Sequence, residues 1–110
     1  MASGLRAIPD VVRQISATTF TGSFQKIGTP LRLPSPLIKI VNNTSVLVTI
    51  SWDGVNIHDV LPATTFTLYD FCSDAGTVNG LYVPQGTQFW VNAAAGTGSL
   101  YLIVFYTSEQ

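Results

Sequence analysis

The chain has 110 residues, enough for one domain with a single core and too few for two. Only 10% are charged, against roughly 25% in an ordinary soluble domain, and 46% are apolar. No window of about 20 apolar residues exists, which excludes a transmembrane helix, and the N-terminus lacks the uninterrupted apolar segment of a secretory signal.

So little charge on so small a domain suits either a well-buried small domain or, the favoured reading, a subunit that hides much of its surface in an assembly. The charge is also unevenly placed. Arg6, Arg13, Lys26, Arg32 and Lys39 lie in the first 39 positions with Asp10 as their only acid, a net of +4, whereas residues 40–110 carry Asp53, Asp59, Asp70, Asp74 and Glu109 and no base. A basic arm on an acidic body suits an acidic partner or a neighbouring copy. It is too sparse for nucleic acid, which calls for clustered bases with stacking aromatics. The single cysteine, Cys72, excludes an internal disulfide and reads as a small buried hydrophobe.

In chain order, residues 1–16 show no sustained period. Pro9-Asp10 before Val11, Val12 and Ile15 suits either one helical turn or an extended arm that docks on something. Residues 17–28, rich in Thr and Phe, favour a strand, with Gly22 marking a bulge or a close approach. Residues 29–36 hold three prolines in eight positions and form a stiff connector that no central strand can contain.

Leu37–Trp52 is the organising stretch. Val46, Val48, Ile50 and Trp52 alternate with Leu47, Thr49 and Ser51, and Ile38 and Ile40 share a parity. This predicts a hairpin around Asn43–Ser45 that sets Ile40 beside Val48. Asp53-Gly54 signals a further hairpin. Short strands are expected at Ile57–Leu61, at Thr65–Phe71 (Phe66 and Leu68 on one face, Tyr69 and Phe71 on the other) and at Leu81–Val83. Residues 72–80 form a loop, and Pro84-Gln85-Gly86 a turn.

Gln88–Ala93 and Leu100–Thr107 are predicted to pair as a hairpin through Gly96-Thr97, with Trp90 opposite Ile103. Phe89, Val91, Leu102 and Val104 then face inward, and Trp90, Tyr101, Ile103 and Phe105 outward. A strand apolar on both sides needs cover for its second face from the arm, a long loop or another molecule. Seven or eight short strands, with turn signals at intervals of about ten residues, point to an all-β antiparallel sandwich or jelly roll. It is a single domain made of an N-terminal arm (1–36) and a sandwich body (37–110).

No catalytic constellation stands out. His58 beside Asp59 lacks a nucleophile. Asp70 and Asp74 are too few for a calcium site, and Gly96-Thr97-Gly98 lacks the lysine of a phosphate loop. The glycosylation-like triplets at Asn42 and Asn43 read as turn chemistry. No metal or cofactor is expected. Trp52 reads as core by parity. With Asp53, Asn56 and His58 it offers an alternative, a carbohydrate-binding platform.

Three stretches carry a resemblance: TTFTGSFQKIGTPL (18–31), IKIVNNTSVLVTISWDGVNIHDVLPA (38–63) and PQGTQFWVNAAAGTGSLYLIVFY (84–106). They resemble a family of small tailed-bacteriophage structural proteins, the capsid cement, decoration or staple proteins. The resemblance implies a non-enzymatic jelly-roll subunit on the outer capsid surface of the virion. Such a subunit bridges adjacent capsomers of the major capsid protein as a homodimer, without touching nucleic acid or membrane. The TTFTGSFQ stretch, with Phe20 and Phe24, and the connector are then the reach onto neighbouring subunits. Trp90, Tyr101, Ile103 and Phe105 are expected as the dimer or capsid contact, and Arg6, Arg13 and Arg32 as polar contacts to an acidic shell.

Overall fold

The computed structural model describes residues 5–71 and 82–109, with side chains from 7 to 71 and from 82 to 106. Among these residues the strands are β1 (Leu5–Pro9), β2 (Arg13–Ser16), β3 (Gln25–Lys26), β4 (Leu37–Thr44), β5 (Val48–Ser51), β6 (Asp59–Leu61), β7 (Thr65–Asp70), β8 (Trp90–Asn92) and β9 (Gly98–Glu109). A short 3-10 turn (Ala17–Thr19) is the one helical piece among them. No helix among the described residues is long and apolar enough to cross a membrane.

The strands form two antiparallel sheets. The first has the order β1-β9-β4-β7, with β2 also on β9, and the second the order β3-β8-β5-β6. Taken from the ends of the chain inward, β2 pairs with β9, β3 with β8, β4 with β7 and β5 with β6. One long antiparallel hairpin is thus rolled up so that β9 also meets β4 and β8 also meets β5. That is the all-β sandwich expected, with the strand order of a jelly roll.

Period-two alternation explains the core. Ile38 and Ile40 of β4 and Leu100, Leu102, Val104 and Tyr106 of β9 point inward from the first sheet. They meet Val48, Ile50, Leu61, Phe89 and Val91 from the second, and all are buried. The inward set expected for the last two strands, Phe89, Val91, Leu102 and Val104, is correct in direction.

The hairpin signalled by Asp53-Gly54 is present, joining β5 to β6, but the two predicted around Asn43–Ser45 and through Gly96-Thr97 are wrong. Ile40 pairs with Leu102 and Thr67, not with Val48, and Trp90 pairs with Lys26 and Ser51, not with Ile103. In these two cases, β4 with β5 and β8 with β9, the consecutive strands are split between the sheets. Alternation reports which side chains point at the core, and strands on opposite sides of one core show the same alternation as strands side by side.

Asn42 holds the first crossing. It is fully buried, its Nδ2 donates to the carbonyls of Val46, Leu61 and Pro62 (3.0 Å each), and its Oδ1 accepts from the Thr44 N–H. A side chain of the first sheet thereby ties down two connections that lead into and out of the second. The turn chemistry read at Asn42 is real, but it joins sheets rather than closing a hairpin.

The second crossing depends on Gly98. Its φ is +89°, and a Cβ there would overlap the Asn43 carbonyl oxygen. Gly98→Ala should cost about 2–3 kcal/mol from strain and overlap together. Gly22→Ala should cost only about 1 kcal/mol, because φ is +81° but a Cβ meets nothing within 4 Å. Urea unfolding of the two variants measures the contrast. Gly22 therefore serves a turn, and the expected close approach is not there.

The N-terminal segment is extended: β1 and β2 line up along the same edge of β9, and no helical turn follows Pro9. The strand expected over 17–28 shrinks to Gln25–Lys26, because the 3-10 turn at Ala17–Thr19 and the turn at Gly22 interrupt it. The strand at Ile57–Leu61 begins only at Asp59. The connector at 29–36 makes a single isolated bridge, Ser35 to Val83. The expectations for residues 72–80 and for Leu81, which include Cys72 and Asp74, lie outside the described residues.

Candidate functional site

Strand register builds one continuous surface on the outside of the first sheet. Leu37 stands opposite Asp70 and Phe105, Lys39 opposite Leu68 and Ile103, and Val41 opposite Phe66 and Tyr101. Residues directly opposite one another share a face, so these nine positions form three rows across β7, β4 and β9. Seven of the nine are apolar. Phe66 is 60% and Leu68 48% exposed, and Leu37, Val41, Tyr101, Ile103 and Phe105 are half-buried. Lys39 places its Nζ 4.8 Å from the Phe66 ring centroid, a cation–π contact inside the patch. Strand spacing and rise put the patch on the order of 300 Å². That suffices for the dry centre of an interface of about 800 Å² per partner.

The expected contact residues divide. Tyr101, Ile103 and Phe105 lie on this face. Trp90 does not: it stands on the outside of the second sheet, across the whole sandwich. There its ring lies beneath Gly54, where a Cβ would come within 2.8 Å of it, and Lys26 Nζ is 5.6 Å from its centroid. The grouping of Trp90 with the other three fails for the same reason as the hairpin that implied it. Phe20 is 4% exposed and belongs to the core, so it cannot reach a neighbour; Phe24 is half-buried. Phe66, Leu68, Leu37 and Val41 share this face without having been expected on it, although Thr65–Phe71 is apolar on both faces, the same signal that singled out β9.

The arginines also separate. Arg6 lies in β1 opposite Ser108. Arg13 is buried and internal rather than presented to a partner. Its guanidinium pairs with Asp10 Oδ2 at 2.9 Å and donates to the carbonyls of Thr29 (2.8 Å) and Pro30 (3.2 Å). The buried Tyr106 hydroxyl donates to Asp10 Oδ2 at 2.6 Å and accepts from the backbone N–H of Arg32 at 3.0 Å. Asp10 thus locks the loop between β1 and β2 to the connector and to β9. Arg32 is the exposed member. It reaches Asp10 Oδ1 at 3.3 Å and covers the Tyr106 ring at 5.1 Å, with its side chain 61% open.

Burial alone would raise the Asp10 carboxyl. Hydrogen bonds from Tyr106, the Val11 N–H, Arg13 and Arg32 outweigh it and hold the group well below the usual carboxylate range. Its contribution is therefore complete above about pH 5 and is lost as pH falls below about 4. Thermal melts from acid to neutral pH should show that decline, and Asp10→Asn should flatten it.

A groove opens where the edge of β7 approaches the loop between β5 and β6. Trp52, His58 and Tyr69 line it, with a volume of about 300 Å³. Trp52 is half-buried rather than full core. Its ring packs edge-on against Tyr69 (5.4 Å between centroids) and tilted against Phe89 (5.2 Å).

The Tyr69 hydroxyl donates to Asp59 Oδ2 at 2.7 Å; burial, then that bond and the Asp59 charge, push the phenol well above its ordinary value. The backbone N–H of Trp52 donates to His58 Nδ1 at 3.0 Å. Asp53 accepts from the N–H groups of Asn56 and Val55 and from the Asn56 side chain, which hold its carboxyl well below the usual range. Among the described residues no three His, Cys, Asp or Glu side chains converge to hold a metal.

No family model matches the chain, nor does any curated protein or solved structure with which it was compared.

Proposed function

We propose that this chain is a non-enzymatic decoration protein of a tailed-bacteriophage capsid. It lies on the outer shell, bridges adjacent capsomers of the major capsid protein and pairs there with a second copy. The observation that carries the reading is the apolar outer face of the first sheet, on which Phe66 and Leu68 are exposed and Val41, Leu37, Tyr101, Ile103 and Phe105 are half-buried. The resemblance of residues 18–31, 38–63 and 84–106 to capsid staple proteins says what kind of surface would cover it.

The mechanism needs no chemistry. A subunit that binds only the mature shell stabilises it by RT ln(1 + [L]/Kd) per site. Many copies, each spanning two capsomers, add modest contacts into resistance against the pressure of packaged DNA. Arg32, the exposed cation beside the connector, suits an acidic rim around the apolar centre. The test is co-sedimentation with purified phage shells: saturable binding is expected, and protein left wholly in the supernatant at all concentrations overturns the proposal.

A further inference from the structure

We infer that the groove between Trp52, His58 and Tyr69 binds one neutral sugar ring, an activity separate from shell binding and independent of it. The floor is aromatic. Tyr69 and Phe89 fix the Trp52 ring from two sides, which leaves a rigid apolar surface suited to the C–H face of a pyranose.

The rim supplies directed polar atoms. Because the backbone N–H of Trp52 donates to His58 Nδ1, that nitrogen carries the lone pair, and the proton of a neutral imidazole sits on Nε2. Among the described residues the carboxylate oxygen nearest to Nε2, Asp53 Oδ2, is 3.9 Å away, beyond hydrogen-bonding distance, which leaves this donor to a ligand. Next to the lining, Asp59 Oδ2 takes one hydrogen bond from Tyr69 and has capacity for another.

A ring donor on the lining, with the Asp59 carboxylate next to it on the Tyr69 hydroxyl, suits sugar hydroxyls, each of which can give one hydrogen bond and accept another. Asp53 beside His58 and Asp59 on Tyr69 put two negative charges next to the groove, which repel phosphates and acidic sugars. About 300 Å³ is the small end of ligand pockets and suits a single ring.

The chain has two tryptophans, so Trp90→Phe leaves Trp52 as the sole indole reporter. Its fluorescence is titrated with D-glucose, D-galactose, D-mannose, N-acetyl-D-glucosamine and, as the acidic control, D-glucuronate. A saturable change is expected for at least one neutral sugar, with half-saturation of about 1–10 mM, and none for glucuronate.

His58→Phe removes the Nε2 donor, and Asp59→Asn keeps an acceptor for Tyr69 while removing the charge. Each should weaken binding at least tenfold, by about 1.4 kcal/mol, and leave shell occupancy unchanged. Linear, unsaturated responses to every sugar would overturn the assignment, as would saturable binding that neither substitution alters. Failure to bind shells would leave this result standing, because the groove and the sheet face share no residue.

Discussion

Asp10→Ala should destabilise the protein by about 3–5 kcal/mol, a large part of the 5–15 kcal/mol that holds a domain together. The reason is what the substitution leaves behind. The Arg13 side chain is 7% exposed, and its carboxylate partner is 9% exposed. Without Asp10 the guanidinium stays buried with only neutral carbonyls and the Tyr106 hydroxyl as partners, while Tyr106 loses its acceptor.

The pair is not thereby a large net source of stability. Replacing Asp10 and Arg13 together with apolar residues should cost much less than Asp10→Ala alone, because no charge is left uncompensated. Arg32→Ala, at the open end of the same network, should cost about 1 kcal/mol or less. Urea unfolding of the two single variants and the double variant tests the argument; equal costs for Asp10→Ala and Arg32→Ala would defeat it.

Phe66→Glu combined with Tyr101→Glu should lower affinity for shells by at least about 100-fold, since two central apolar anchors at about 2 kcal/mol each exceed that factor. Both residues lie in one row across β7, β4 and β9, flanking Val41. Phe66 is 60% exposed and Tyr101 half-buried, so the fold should survive with a small loss. Trp90→Ala, on the other side of the sandwich, should bind shells as the parent does. Co-sedimentation measures all three proteins. If the double variant binds like the parent, or if Trp90→Ala abolishes binding, the first sheet is not the contact face.

The two expectations bear on opposite properties of one strand. The inner side of β9 ends in Tyr106, which the Asp10 network needs, and its outer side presents Tyr101, Ile103 and Phe105. A strand apolar on both sides was visible in residues 100–106 as a sequence. Thr65–Asp70 showed the same pattern more weakly, because Thr65 and Thr67 dilute it, and Phe66 and Leu68 were accordingly not singled out. Trp52 shows where parity stops short. It continues the inward face of Val48 and Ile50, but it lies one residue beyond β5, at the open edge of the sandwich, so it lines a groove instead of filling the core.

The amino-acid sequence by itself determined that this is an all-β domain, which side chains of β4, β5, β8 and β9 point inward, and where Gly and Pro break the chain. These are local consequences of a two-residue period and of backbone torsions. Only the tertiary structure decided that β4 and β5 belong to different sheets, as do β8 and β9, and that Trp90 and Phe105 lie on opposite sides of the molecule. It also decided that Arg13 is buried against Asp10. Two sheets that share one core impose the same inward pattern on their strands, so alternation cannot say which strand is a neighbour and which lies across. Hydrogen-bonded register and the Asn42 crossing supply that answer, and both join residues far apart in the chain.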